Sequence, residues 1–240
     1  MTTAQNPYPV RVNASLDPPL SRWLWLVKWV LVIPHYIVLV ALWAGFAVVT
    51  VVAFFAILVT ERYPRSLFGF NLGVLRWTWR VHYYAYGALG TDRYPPFSLG
   101  EHPDYPAHLD IPYPQHLSRT VVLVKWWLLA LPHYLVLSVL VGGGWWVGQP
   151  GNNGWGVSGL LGLLVFIAAI SLLFRGSYPE PLYRLILGVD RWSLRVTAYA
   201  TLMTDAYPPF RLDQGGTDPG SLPVPSEPSP MPLLPEPAAG

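Results

Sequence analysis

The chain contains no cysteine, and this absence excludes several kinds of site. Without thiols the protein can form no disulfide, no Cys-ligated zinc or iron–sulfur centre and no thiolate nucleophile. Common catalytic signatures are missing as well: there is no glycine-rich phosphate loop, no G-x-S-x-G and no H-E-x-x-H. We therefore expect a protein that is not an enzyme and that carries no cofactor.

Charge is scarce, and carboxylates are absent from the long apolar runs. Only 12% of the residues are charged, and no Asp or Glu lies within 23–60, 121–141 or 159–174. Transport coupled to protons or cations usually needs a carboxylate at membrane depth, so a coupled transporter is disfavoured. A small transporter or channel subunit remains an alternative.

Apolar residues, in contrast, are abundant. They make up 52% of the chain, and the mean hydropathy is +0.35. These values are typical of a membrane protein. The first twenty residues are polar and rich in proline, so we expect no cleaved signal peptide and predict that the chain inserts through its own spans.

The chain also repeats itself. Several separate blocks of the first half return in the second half in the same order, which indicates an internal duplication. The blocks are LSR at 20–22 and 117–119, LVKW at 26–29 and 123–126, PHY at 34–36 and 132–134, YP at 63–64 and 178–179, G-x-x-R-W-x-x-R-V at 73–81 and 188–196, and TDRYPPF at 91–97 with TDAYPPF at 204–210. We assign 1–100 to repeat 1 and 101–213 to repeat 2.

The second copy carries an insertion that suggests a turn. Between PHY and YP it has 17 extra residues, 142–158, which are rich in Gly and Asn. A turn outside the packed elements tolerates such an insertion best, and the counterpart in repeat 1 falls near Trp43–Gly45. Each apolar run is then predicted to be a helical hairpin, with membrane spans at 22–43, 44–60, 121–141 and 159–174.

The distribution of charge predicts the topology. No Lys, Arg, Asp or Glu lies near Gly45 or within 142–158, and all of them lie at the other ends of the hairpins or beyond. The positive-inside rule then places both termini in the cytoplasm of a four-span protein and makes the two repeats parallel. A third crossing per repeat, which would invert repeat 2, is the alternative.

An amphipathic segment follows each predicted hairpin. Residues 65–89 and 182–203 have helical length and place arginines on one face, so we predict helices lying in the membrane interface. Residues 8–15 and 105–114, which precede the hairpins, can form short strands. The proline-rich segment 214–240 is predicted to be a disordered tail. The predicted fold class is thus an all-α membrane protein with two parallel tandem repeats.

The combination of VKW, PHY, RYPR, GVLRW and TDRYPPF resembles a family of small integral-membrane proteins, common in actinobacteria, that is known only as a domain of unknown function. The resemblance covers residues 8–213. It implies membrane location and a doubled architecture, and it implies no activity or cofactor.

Two histidines and two lysines lie within the apolar runs. His35 and His133 could hydrogen-bond carbonyls freed by Pro34 and Pro132, meet to ligate a metal or haem, or contact lipid or a partner. We favour the first possibility. Lys28 and Lys125 are expected to reach the interface as anchors.

Seven basic residues are candidates for binding anionic lipid headgroups: Arg76, Arg80, Arg184, Arg191, Arg195, Lys28 and Lys125. Interfacial anchoring, or pairing of the arginines with Asp92 and Asp205, is the alternative. His102 and His108, beside Glu101 and Asp104, are better explained as part of a solvated linker than as a metal site.

The functional hypothesis is a non-enzymatic membrane scaffold or accessory subunit that contacts anionic lipid. Its partners would be membrane proteins or further copies of the chain, and nucleic acid is not expected. The alternatives are a small transporter or channel subunit and, with less support, a membrane redox protein that binds haem or a metal.

Overall fold

The computed structural model describes residues 8–17, 19–142 and 159–213. Most of this chain is helical. The helices are α1 (Trp25–Leu31), α2 (Ile33–Thr60), α3 (Arg65–Tyr84), α4 (Arg119–Val124), α5 (Leu131–Val141), α6 (Leu160–Arg175) and α7 (Glu180–Ala200), and the strands are β1 (Arg11–Ala14) and β2 (Ala107–Asp110).

The turn predicted near Trp43–Gly45 is wrong. Helix α2 passes through these residues without a break and contains 28 residues. Gly45 is explained by packing, because a Cβ atom at this position would lie 3.3 Å from the ring of Phe70 in α3. Pro34 lies in the first turn of α2, where its missing N–H costs no helical hydrogen bond.

The insertion in repeat 2 interrupts one long helix instead of joining two antiparallel ones. A Cβ atom on Gly159 would lie 2.2 Å from the amide nitrogen of Gly142, so α6 begins where α5 ends. Helices α5 and α6 contain 11 and 16 residues, together 27, and match the 28 residues of α2. Residues 143–158, the rest of the predicted turn, lie outside the described residues.

A smaller difference between the copies lies just before PHY. Five residues separate Lys28 from Pro34 in repeat 1, and six separate Lys125 from Pro132 in repeat 2. The extra residue is absorbed by a π-helical turn over Lys125–Leu129. A π-turn accommodates one added residue without ending the helix, so the residues on either side keep their packing.

The long helices of the two repeats run in opposite directions. As the residue number rises from α4 to the end of α6, the number of the neighbouring residue in α1 and α2 falls. The neighbouring residues are Arg119 and Glu61, Trp126 and Phe54, Val141 and Trp43, Val165 and Trp25, and Gly176 and Arg22. The prediction of parallel repeats is therefore wrong, because an approximate two-fold axis across the helices relates the copies.

Helices α3 and α7 form a second layer on these long helices. Helix α3 packs against α2 and α7 against α6, and each also lies beneath a segment that crosses it. They cover most of the predicted amphipathic segments 65–89 and 182–203.

The outermost layer is a two-stranded ribbon, so the fold is mostly helical and not all-α. Strands β1 and β2 pair antiparallel, with Val12 opposite Leu109. The predicted tail, 214–240, lies outside the described residues.

Two described helices are long and apolar enough to cross a membrane, Ile33–Thr60 and the continuous run Arg119–Val141. Leu160–Arg175 is apolar but shorter. The four predicted crossings are thus not confirmed.

Candidate functional site

The lysines in the apolar runs form buried ion pairs. Lys28 Nζ donates to the carbonyl oxygen of Thr91 at 2.7 Å and lies 2.9 Å from Asp92 Oδ1. Lys125 Nζ makes the equivalent contacts in repeat 2, with Thr204 O at 3.1 Å and Asp205 Oδ1 at 2.7 Å. The acidic residue of each TDxYPPF segment therefore neutralises the lysine of its own repeat, and both lysines are buried instead of reaching the interface as anchors.

His35 is enclosed by the same segment of its repeat. Its ring stacks on Phe97 with centroids 3.9 Å apart, and its Nδ1 accepts a hydrogen bond of 3.1 Å from Trp77 Nε1. The favoured prediction named a backbone carbonyl as the partner, whereas the structure supplies an indole N–H. An imidazole nitrogen that accepts this bond is unprotonated.

His133 has an equivalent aromatic environment in repeat 2. Its ring stacks on Phe210 at 4.1 Å and lies 5.7 Å from that of Trp192. His35 and His133 precede Trp43 and Val141 by equal intervals in antiparallel helices, so about 24 Å of helix separates them at ~1.5 Å per residue. They do not meet, and the shared metal or haem site is wrong for this structure.

Two of the candidate arginines are buried beneath the loops that cross α3 and α7. Arg80 donates to the carbonyl oxygens of Gly100 and Ser98, and Arg195 donates to that of Arg211. Their guanidinium groups hold the crossing segments in place. These contacts leave little of either group for a lipid phosphate.

The other candidate arginines are more accessible. Arg76 contacts Asp110 at 3.1 Å and Glu101 at 3.5 Å, while Arg191 Nε donates to Val12 O at 3.1 Å. Arg184 is exposed and pairs with Glu180 one turn before it. The acidic partners Asp92 and Asp205, proposed for the arginines, belong to the lysines.

No group of three or more His, Asp or Glu side chains within 8–17, 19–142 and 159–213 is placed to hold a metal ion. This range includes His102, His108 and their acidic neighbours.

Sequence reasoning missed an acid–base pair between the repeats. His82 Nε2 of α3 lies 3.0 Å from Asp190 Oδ1 of α7, and Asp190 is 3% exposed. Burial raises the pKa of Asp190, and His82 offsets this only in part. Burial also lowers the pKa of His82, but the Asp190 carboxylate outweighs it and the net direction is upward.

A comparison of the two copies contains the signal that would have found this pair. The counterpart of Asp190 in repeat 1 is Leu75, and the counterpart of His82 in repeat 2 is Thr197. Each member is thus a polar departure from the repeat, at a position where the other copy has a residue without charge.

Tyrosines form a second contact between the repeats. The hydroxyls of Tyr83 and Tyr183 are 2.8 Å apart, and Tyr83 donates to Ser15 O at 2.7 Å. Tyr178 donates to Ala88 O at 2.8 Å. Burial raises the pKa of Tyr83 and of Tyr178, so both remain protonated donors.

The geometry therefore consists of two equivalent ends and an unsymmetrical centre. The ends bury a lysine–carboxylate pair and a histidine, and the centre holds the His82–Asp190 pair. Neither a curated protein nor a solved structure matches the chain. The family model described as a domain of unknown function, DUF4389, matches residues 22–98 and 155–211, more than half of the chain, and the protein belongs to this family.

Proposed function

We propose that the protein is a non-enzymatic membrane scaffold or accessory subunit, seated in the cytoplasmic leaflet by its long helices. The observation that carries this proposal is the surface of α2. The helix is apolar on every side, yet it buries only a single stripe of residues: His35, Leu39, Phe46, Ala53 and Ile57. A helix that is hydrophobic all round needs protein or lipid on its remaining faces.

The exposed apolar surface extends over both repeats. Val59 of α2 is 75% exposed and Phe174 of α6 is 76% exposed, and they belong to a large set of exposed apolar side chains on α1, α2 and α4–α6. We call these helices the apolar layer. Soluble monomers rarely expose apolar patches larger than a few hundred Å², so this layer requires a cover, and we propose that lipid supplies it.

The polar groups favour helices that lie along the membrane over helices that cross it. Arg76 lies in the middle of α3 and pairs there with Glu101 and Asp110. The Asn71–Thr50 hydrogen bond places this part of α3 against the middle of α2. A crossing α2 would carry these charges to the bilayer centre, at a cost of roughly 2.5–3.5 kcal/mol each. An in-plane helix keeps them on its aqueous side.

The basic residues at the ends of the long helices support the same orientation. Arg22 and Arg175 lie at one end of the apolar layer, and Arg62, Arg65 and Arg119 lie at the other, all of them exposed. Crossing helices would place similar positive charge in both compartments, against the usual asymmetry. If the helices lie in the plane, both groups face the cytoplasm.

These exposed arginines are better placed for anionic lipid than the buried candidates. Exposed tryptophans follow two of them along the chain, Trp23 and Trp29 after Arg22 and Trp126 and Trp127 after Arg119. Arginine binds phosphate oxygens, and tryptophan is typical of the headgroup region.

The absence of native cysteine makes single-cysteine labelling the direct test. Variants Arg22→Cys, Arg119→Cys, Glu101→Cys and Val48→Cys would be treated with a membrane-impermeant charged maleimide in sealed vesicles of known sidedness. We expect the first three to react from the cytoplasmic side only and Val48→Cys to be protected. Reaction of Arg22→Cys and Arg119→Cys from opposite sides would refute the in-plane orientation.

The scaffold role has a separate test. The full chain, extracted from native membranes in mild non-ionic detergent, is expected to retain stoichiometric anionic lipid and at least one membrane-protein partner. Purification as a single chain with neither would contradict the role. Flux through liposomes containing only this protein would favour the alternative of a transporter or channel.

A further inference from the structure

A cavity lies between the two repeats, on the axis that relates them. Ten residues line it, and each has its repeat counterpart among the other nine. The counterparts include Leu75 and Asp190, Thr78 and Ser193, and His82 and Thr197. A cavity that both copies line in the same way is a product of the duplication, so any difference between its halves is a departure from symmetry.

The departure that introduces ionisable groups is the His82–Asp190 pair. In the half of the interface that contains Leu75 and Thr197, the equivalent positions carry no charge. The fold therefore closes this interface without an ion pair in one half. Burying a charge pair has a desolvation cost that well-packed neutral side chains avoid, so packing alone does not account for His82 and Asp190.

One of the two carboxylate oxygens of Asp190 has no hydrogen-bond donor among the described residues. Oδ1 contacts His82, whereas Oδ2 is buried and accepts no hydrogen bond within the described residues. A buried carboxylate oxygen without a donor is costly, and a ligand that donates to it would remove the cost.

The hydroxyls around the cavity also act as acceptors. Thr78 Oγ1 donates to Val74 O at 2.8 Å, and Thr197 Oγ1 donates to Ser193 O at 2.9 Å. Since each of these two hydroxyls has a single proton, only lone pairs remain for a ligand, and one lone pair of Thr78 Oγ1 already accepts from Trp43 Nε1 at 3.1 Å. Together with Asp190 Oδ2, they call for a ligand rich in N–H donors.

The volume of the cavity and the residues that line it narrow the chemical class of the ligand further. The cavity has a volume of about 150 Å³, which at ~30 Å³ per water molecule is room for about five non-hydrogen atoms. Trp43 and Trp79 contribute aromatic walls, and aromatic faces attract cations. The side chain of His82, which lines the cavity, is 38% exposed.

We propose that this axial cavity binds a small primary ammonium compound, with Asp190 Oδ2 receiving its N–H donors. The site is unsymmetrical because each repeat contributes only one member of the His82–Asp190 pair. It forms only when both repeats are folded together. It lies apart from the lysine–carboxylate ends.

The test uses the full chain in non-ionic detergent with n-propylammonium chloride as the probe. Calorimetric titration is expected to give saturable one-site binding, and the thermal midpoint is expected to rise with probe concentration. Tetramethylammonium, which has no N–H, and n-butanol, which has no charge, are expected to bind at least tenfold more weakly. Equal responses to all three compounds, or no saturable response to the probe, would overturn the proposal.

Two variants assign the binding to Asp190. Asp190→Asn keeps the shape of the side chain and removes its charge, and the double variant His82→Thr with Asp190→Leu gives both halves the neutral residues of the repeat. Both are expected to weaken propylammonium at least tenfold. Glu180→Gln, an exposed change on the same helix, is the matched control and should bind like the wild type. Unchanged affinity in Asp190→Asn would refute the site even if the double variant failed to fold.

Discussion

Arg76 Nε donates to the backbone carbonyl of Leu109 at 2.9 Å, so a helix of repeat 1 holds the strand of repeat 2. The reciprocal contact joins Arg191 Nε to Val12 O at 3.1 Å. Tyr8 and Tyr105 continue the exchange, donating to the carbonyls of Ala206 and Arg93 in the opposite repeats. The N-terminal arms are exchanged, and each repeat completes the core of the other.

This exchange predicts that neither repeat folds alone. A fragment ending at residue 100 lacks β2, and Arg76 of α3 then loses its contacts with Leu109 and Asp110. We expect it to show no cooperative thermal unfolding in detergent and to be digested rapidly by protease, whereas co-expressed fragments 1–100 and 101–213 should associate. A cooperative transition of the 1–100 fragment by itself would contradict the exchange.

The interrupted helix predicts that the insertion can be removed. Deleting residues 142–158 joins Val141 to Gly159 in the register that Trp43 and Ala44 have in α2. We expect a folded protein whose thermal midpoint is no lower than that of the wild type, because α5 and α6 then join as one helix in the register of α2. Circular dichroism and thermal unfolding measure this.

A phase-shifted deletion is the matched control. Removing 142–156 leaves two extra residues, which turn α6 by about 200° relative to α5 at 3.6 residues per turn. Its buried residues then face away from α7, and the thermal midpoint should fall sharply. Equal stability of the two deletions would show that α5 and α6 do not form one continuous helix.

Gly73 is required where α3 passes beneath the loop at Leu99. A Cβ atom here would lie 2.8 Å from Leu99 Cβ and 3.0 Å from its carbonyl oxygen. Gly73→Ala should therefore destabilise the protein by about 1–2 kcal/mol despite its better helix propensity. Gly69→Ala, in the same helix with nothing within 4 Å, should stabilise it by about 0.5–1 kcal/mol. Thermal midpoints compare the two.

Lys125 is expected to matter more than any exposed basic residue. Lys125→Met leaves Asp205 without its partner and should cost about 3 kcal/mol, or about 6–12 °C in thermal midpoint. Adding Asp205→Asn should recover part of the loss. Arg184→Ala, which breaks an exposed pair, should cost at most about 0.5 kcal/mol. A Lys125→Met loss as small as this would mean that the buried pair does not form.

The His82–Asp190 pair predicts a pH dependence of stability. Folding raises the pKa of both groups, so the folded state binds more protons than the unfolded state. Its contribution is therefore largest at acidic pH and is lost as the pH rises from about 4 to beyond about 6.5. Thermal midpoints of the wild type and of the His82→Thr, Asp190→Leu variant should show their difference shifting against the wild type over this range. A shift in its favour would reverse the sign and contradict the pair.

The sequence predicted the local elements better than it predicted how the helices connect and run relative to one another. The duplication, the short strands before each long helix and the helices near 65–89 and 182–203 follow from repeated blocks and periodicity, which are properties of neighbouring residues. The turn near Gly45 and the parallel repeats were wrong because an insertion at 142–158 permits two explanations, a hairpin turn or an excursion from a continuous helix. The continuity of α2 and the proximity of Gly142 to Gly159 distinguish them.

The sequence by itself determined that this is a duplicated, helix-forming, cysteine-free chain with too much apolar surface to remain uncovered. Local propensity and composition are enough for that. Only the tertiary structure decided that the repeats run antiparallel, that Asp92 and Asp205 neutralise lysines instead of arginines, and that Asp190 of one copy meets His82 of the other. Pairings between distant residues depend on how two surfaces close on each other, and the pattern along one chain does not specify that closure.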